Sequence, residues 1–112
     1  MKLVIDRQKW LRGEGGDKSV LLREYDGKMC CLGFYGIALG ASPEDINGIA
    51  SPEDVKASVF PRWMFLDMDG ESVDSFAADV LMDINDNPLY KSREDMISEE
   101  FAKHGVEVEF IN

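Results

Sequence analysis

Two adjacent cysteines and a single histidine are the residues of this chain whose types best suit nucleophilic or metal chemistry. A thiolate at Cys31 could attack a substrate with His104 as its base. The three side chains do not have the spacing of a structural zinc site. Neighbouring cysteines also rarely bond to each other, because the ring that they would close is strained. The sequence therefore favours Cys30 and Cys31 as reduced, buried side chains, and it leaves a Cys31–His104 pair as an alternative.

A pair of carboxylates, Asp67 and Asp69, follows an apolar run in the segment WMFLDMDGES, residues 63–72. The segment resembles the motif of haloacid-dehalogenase-like phosphatases, and this resemblance implies a nucleophile at Asp67 and an acid at Asp69. That family needs a long parallel α/β domain after the motif, whereas only 42 residues follow Gly70. We therefore predict a solvated acidic turn, with an enzyme or ligand-binding domain as the alternative.

Four oxygen-bearing residues fall at positions 1, 3, 5 and 12 of an EF-hand calcium loop: Asp83, Asn85, Asn87 and Glu94. Pro88 stands where the loop needs glycine, and Lys91 occupies position 9. A helix end with Asn and Asp as turn residues explains this spacing better. We predict no metal and no cofactor.

Acidic residues are distributed unevenly along the chain. The first 28 residues have seven basic and five acidic groups, a net charge of +2, whereas the other 84 have five basic and 17 acidic groups, or −12. Such a field repels nucleic acid and anionic membranes, and it attracts basic protein surfaces. The predicted interaction residues are two aromatic anchors and seven acids from a stretch without Lys or Arg: Trp63, Phe65, Asp67, Asp69, Glu71, Asp74, Asp79, Asp83 and Asp86.

Hydrophobic periodicity predicts the elements that must position these residues. The apolar run Leu3–Ile5 and the alternating residues 106–110 are typical of strands, and their pairing would bring the termini together. Asp26-Gly27 is typical of a two-residue hairpin turn. The predicted class is α+β: a small, mostly antiparallel sheet, made of the N- and C-terminal strands plus a hairpin, packed with about four helices or helical turns in a single domain, residues 1–112.

The helices are predicted from apolar faces and capping residues. The uncharged stretch 29–40 suits a buried helix, in which Gly33 and Gly36 allow another element to approach closely. SPEDI (42–46) and SPEDV (51–55) each indicate a short helical turn. Further helices are expected around residues 76–84 and after Ser92.

The N-terminal sequence predicts a cytoplasmic protein. No apolar run reaches the roughly 20 residues of a membrane span. The start, MKLVIDRQKW, meets Asp6 after three apolar residues, which is not typical of a signal peptide.

Segments spread over most of the chain carry a family resemblance: LRGEG (11–15), KMCCLGFY (28–35), IND (84–86) and FAKHGVEVEF (101–110). In this order they resemble a family of small uncharacterised proteins encoded by tailed phages and prophages. The resemblance implies a phage-type protein in the cytoplasm of the host cell. It implies no reaction and transfers no catalytic residue.

These observations favour a small acidic accessory protein that acts by protein–protein binding. Its expected partner is a host protein with a basic surface, such as a nucleic-acid-binding or defence protein that it inhibits, without direct contact to nucleic acid or membrane. One alternative is a small enzyme or ligand-binding domain that uses Cys31 and His104, or Asp67 and Asp69. Another is a phage structural or assembly component that self-associates through helix 29–40. This alternative implies a homo-oligomer.

Overall fold

A computed structural model describes residues 1–12, 20–55, 59–65, 77–87 and 92–112. These ranges contain four helices and two strands, which confirms the α+β class. In chain order the elements are β1 (Lys2–Asp6), α1 (Cys31–Ala38), α2 (Pro43–Ile46), a 3-10 turn (Pro52–Asp54), a second 3-10 turn (Arg62–Phe65), α3 (Ala77–Asp86), α4 (Arg93–Ala102) and β2 (Glu107–Ile111).

The two strands pair in parallel, so the prediction of a mostly antiparallel sheet is wrong. Lys2 lies opposite Glu107 and Asp6 lies opposite Ile111. Consequently the two chain ends lie at opposite ends of the strand pair and are not brought together. The apolar alternation in 106–110 predicts a strand and the side chains that face inward. It does not predict whether that strand pairs in parallel or antiparallel, because the alternation is the same in both cases. The intervening helices supply the long crossover that a parallel connection needs.

A turn forms at residues 24–27, but it is not the two-residue turn that Asp26-Gly27 predicts, since four residues separate the paired Arg23 and Lys28, and its arms do not become strands. Gly27 has a φ of 72°, and Arg23 forms a single antiparallel bridge with Lys28. The next residue, Met29, pairs instead with Trp10 in a parallel bridge. The hairpin therefore adds no strand to the sheet, because its arms separate after one pair of residues.

The apolar core lies between the sheet and helices α1, α3 and α4. Burying each of its large side chains contributes about 2 kcal/mol relative to exposure. The completely or almost completely buried members include Leu3, Ile5, Leu32, Leu81, Ile97 and Phe101.

One polar side chain, Asn85 of α3, is completely buried in this core. Its Oδ1 accepts hydrogen bonds from the Trp10 indole N–H at 2.7 Å and from the backbone N–H of Cys31 at 3.0 Å. Its Nδ2 donates to the Leu11 carbonyl and to Asp86 Oδ1, both at 2.9 Å. Asn85 thus caps the first residue of α1 from a different helix and ties α3 to the segment after β1.

Two glycines of α1 let other elements pack against its backbone, as predicted. A Cβ atom at Gly33 would lie 1.8 Å from the carbonyl oxygen of Leu21. At Gly36 it would lie 2.9 Å from the edge of the Phe60 ring. The neighbour of Gly33 is a backbone carbonyl, which cannot move without moving the chain. The neighbour of Gly36 is a side-chain ring, which can rotate away.

Replacing Asn85 should destabilise the fold strongly. Asn85→Ala leaves the Trp10 indole, the Cys31 amide and the Leu11 carbonyl buried without their partner, and we expect it to lower the free energy of unfolding by about 3 kcal/mol. Urea denaturation followed by circular dichroism measures this loss. Asn47→Ala is the matched control, since Asn47 is exposed and its side chain donates to the exposed Glu24 side chain at 3.1 Å, and we expect less than about 0.5 kcal/mol there. A loss below about 1 kcal/mol for Asn85→Ala would contradict the role of Asn85.

The two glycines should respond differently to a single added methyl group. We expect Gly33→Ala to cost about 3 kcal/mol or more, because the Leu21 carbonyl must move, and Gly36→Ala to cost about 1–2 kcal/mol, because the Phe60 ring can rotate. Thermal melting of the two variants compares them directly. Equal costs would show that α1 is not held against the Leu21 backbone.

Candidate functional site

Three of the predicted interaction acids lie on helix α3. Asp79 and Asp83 are exposed and stand four residues apart, so they lie on the same side of the helix. Asp86 is half-buried and accepts the Asn85 hydrogen bond, which gives it a structural role as well. The opposite side of α3 carries the buried Leu81 and Asn85. We call Asp79, Asp83 and Asp86 the acidic face of α3.

The amphipathic pattern of α3 determines which way this face points. Ala78, Leu81 and Asn85 recur at intervals of three and four residues and are buried, so they turn the helix toward the core. Asp79 and Asp83 lie between them in sequence and must therefore face away from the core. The sequence predicts this helix correctly from Leu81 and Ile84, although it does not identify Asn85 as a buried member.

Trp63, a predicted anchor, is part of an aromatic cluster. Its ring stacks on His104 at 3.9 Å between centroids and 5° between planes. It also meets Phe101 edge-on at 6.1 Å and lies 6.0 Å from the ring of Tyr35. Burial raises the pKa of the Tyr35 hydroxyl, and a hydrogen bond with Trp63 partly offsets this. Trp63 is half-buried and already engaged, so it is first of all a packing residue.

Phe65, the other predicted anchor, is also half-buried and packs against the core. Its turn, Arg62–Phe65, contacts helix α3. The remaining predicted acids lie outside the described residues: Asp67, Asp69, Glu71 and Asp74. In sequence these four acids occupy the segment between that turn and α3.

The two cysteines are completely buried, and both are free thiols. Burial raises the pKa of Cys30 to about 12 and that of Cys31 well above its ordinary value. Cys31 lies against α3, where its Sγ is 3.9 Å from the Leu81 carbonyl oxygen. A protonated, buried thiol is a poor nucleophile.

His104 lies in a different environment from the cysteines. Its Nε2 is 3.8 Å from Oε1 of the buried Glu100, and Lys103 pairs with the other Glu100 oxygen at 3.1 Å. Within the described part of the chain, neither Glu100 Oε1 nor His104 Nε2 has a hydrogen-bond partner. No group of three metal-ligating side chains occurs in the same residues, so the pair lacks a third protein ligand there.

The EF-hand spacing does not form a calcium site among the described residues. Asn85 uses both of its side-chain atoms inside the core. Glu94 belongs to α4. Its carboxylate accepts two hydrogen bonds from the Arg7 guanidinium, of 3.0 and 2.8 Å, and these lower the pKa of the carboxyl group. These residues therefore have structural partners in place of an ion.

Several basic residues near the N-terminus pair with acids from other parts of the chain or from their own turn. Lys2 pairs with Glu109 at 2.9 Å, Arg7 with Glu94 at 2.8 Å, and Arg23 with Asp26 at 2.6 Å. Exposed pairs of this kind contribute little to stability. Each pair has no net charge, so the net charge of −10 comes from the acidic groups that outnumber the basic ones, and these lie in residues 29–112.

No family model, curated protein or solved structure matches this chain. The resemblance to small phage proteins therefore stays a prediction. In the described ranges no helix combines the length and apolar character needed to cross a bilayer.

The buried thiols yield a direct test of the cysteine alternative. We expect Ellman's reagent at pH 8 to label the native protein at least about a hundredfold more slowly than the guanidinium-unfolded protein, since labelling must wait for opening of the core. The absorbance of the released thionitrobenzoate measures the rate. If one thiol of the native protein is labelled rapidly, and this rapid labelling is absent in Cys31→Ala, then Cys31 is a reactive residue and the cysteine alternative is supported.

Proposed function

We propose that this protein acts by binding another protein that has a basic surface, and that the acidic face of α3 is part of the contact. The observation that carries the proposal is the placement of Asp79 and Asp83. Both are exposed on a helix whose other side is fixed in the core. In sequence they follow directly on a segment whose charged residues are all acidic.

The mechanism that we propose has two stages. The acidic field first attracts the basic partner and raises the association rate, which is the main contribution of charge complementarity to binding. Close packing then holds the partner, and partly buried aromatic side chains such as Phe65 are suited to the apolar centre of that contact. As a phage-type accessory protein in the host cell, it would occupy the basic site of a nucleic-acid-binding or defence protein and inhibit it.

The two alternatives receive less support from the described residues. The enzyme hypothesis relies on Cys31 with His104, or on Asp67 with Asp69. The thiol of Cys31 is buried and has a raised pKa, whereas Asp67 and Asp69 lie outside the described residues. The self-assembly hypothesis relies on the glycines of helix α1. Gly33 and Gly36 are already covered by Leu21 and Phe60 of the same chain, which explains both glycines without a second copy.

Charge reversal on α3 tests this function against a matched control. The double variant Asp79→Lys/Asp83→Lys and the control Glu44→Lys/Glu53→Lys change the net charge equally, and all four positions are exposed. We expect the α3 variant to lose at least about tenfold in affinity for partners captured from host lysate, because close interfacial charge pairs are worth about 1.5 kcal/mol or more. The control should change affinity by less than about threefold, since distant surface charges are screened.

Quantitative mass spectrometry of the captured proteins measures both effects, and thermal melts verify that the variants fold. Asp79→Asn/Asp83→Asn should lie between the wild type and the Lys variant. Equal losses in the α3 and control variants would mean that total charge and not this face determines binding. Unchanged capture in the α3 variant would overturn the proposal.

A further inference from the structure

Strand β2 ends the sheet on one side. In the described part of the chain the sheet has only β1 and β2, and no third strand pairs with the outer edge of β2. The backbone N–H of Glu107 donates to the Met1 carbonyl oxygen, and the backbone N–H of Arg7 donates to the Ile111 carbonyl oxygen, both at 2.9 Å. Because hydrogen bonding alternates along a strand, the backbone groups of Val108 and Phe110 point away from β1.

Burial of the inward side chains decreases from β1 to β2. Leu3 and Ile5 of β1 are 1% and 0% exposed, whereas Val108 and Phe110 of β2 are only partly buried. All four belong to the side of the sheet that faces the helices. Val108 and Phe110 pack against the core, and the Phe110 ring also lies 5.1 Å from that of Trp10, but both side chains are less covered than Leu3 and Ile5. A further strand would cover the parts of them that remain exposed.

The outward side of β2 determines which strand fits there. Glu107 and Glu109 are exposed, and Lys2 of β1 pairs with Glu109 across the ladder. Cross-strand pairs of opposite charge stabilise a sheet, and like charges directly opposite destabilise it. A second copy of β2 in an antiparallel register centred on Glu109 would place two Glu109 side chains opposite each other. A basic strand would instead face two carboxylates.

We propose that the outer edge of β2 accepts an extended segment of the partner as a third strand, with basic residues alternating with apolar ones. The basic side chains lie beside Glu107 and Glu109, and the apolar ones cover Val108 and Phe110. Backbone hydrogen bonds supply the affinity, and the alternating side chains supply the specificity. This proposal rests on the proposed function for the basic character of the partner, but it concerns a different surface from the acidic face of α3.

A synthetic peptide tests the edge without the natural partner. The probe is the capped peptide Lys-Val-Lys-Val-Lys-Val-Lys. Its controls are the same peptide with Glu in place of Lys, and the Lys peptide with Pro at the central Val. Titration into the ¹⁵N-labelled full chain, followed by amide shifts and hydrogen exchange, should protect the amides of Val108 and Phe110 with the Lys peptide alone.

Two protein variants separate the edge from general acidity. Val108→Pro removes an outward N–H that the β1–β2 ladder does not use, so we expect the fold to persist and peptide binding to weaken at least about tenfold. Val108→Thr keeps the N–H, controls for the side chain and should bind within about threefold. Glu107→Lys should weaken the Lys peptide about threefold and strengthen the Glu peptide.

The outcomes distinguish this proposal from the proposed function. Shifts centred on Asp79 and Asp83 and insensitive to Val108→Pro would overturn the β2 edge and leave the acidic face of α3 standing. Slow hydrogen exchange of the Val108 and Phe110 amides in the free monomer would also overturn the proposal, since another part of the same chain would then cover the outer edge of β2. If light scattering shows a dimer that Val108→Pro converts to a monomer, the edge of β2 binds a second copy of this chain, and the proposal of a basic partner strand is overturned.

Discussion

The buried amide of Asn85 is the constraint on which the rest of this structure depends. A polar side chain without access to water is tolerated only when its donors and acceptors are satisfied, and a half-satisfied network is costly. Here the carbonyl oxygen accepts two hydrogen bonds and the amide nitrogen donates two. These bonds have directions, so they fix α3 relative to the start of α1 and to the segment after β1 more narrowly than apolar packing alone would.

The functional proposals follow from this fixed arrangement. Because Asn85 and Leu81 hold one side of α3 in the core, Asp79 and Asp83 have to face outward. Among the described residues β2 pairs with β1 alone, so the C-terminal strand lies at an edge of that sheet, with its two glutamates exposed. The acidic character read from the sequence is thus presented on two separate elements, a helix and a strand edge.

The sequence predicts local structure here better than it predicts pairing and buried polar contacts. The strands near Leu3 and Val108, the buried helix 29–40 and the helix after Ser92 all follow from periodicity and capping residues. Strand direction does not, because apolar alternation is the same in both directions. The sequence does not indicate the role of Asn85, because Asn near a helix end has an ordinary local explanation as a turn residue. A signal was present, since a burial period of three to four residues extends from Ala78 through Leu81 and Ile84 or Asn85.

The candidate site stays a prediction, although the structure shows where some of its residues lie. Asp79 and Asp83 are exposed, while Trp63 is stacked on His104, a contact between residues 41 positions apart that no local pattern indicates. A Trp within an acidic stretch suits an interface anchor and a core position equally well from sequence alone. The same holds for His104, whose neighbours Glu100 and Lys103 are visible in the helix spacing, whereas its stacking partner is not.

The most direct test of the central claim, that acidity drives binding to a basic partner, is the salt dependence of the dissociation constant for the main protein captured from host lysate. We predict that affinity falls by at least about tenfold when the ionic strength rises from about 0.05 to about 0.5 M, because this shortens the Debye length from roughly 14 Å to roughly 4 Å. An affinity that stays constant over this range would contradict the claim and would point to an apolar contact as the basis of recognition.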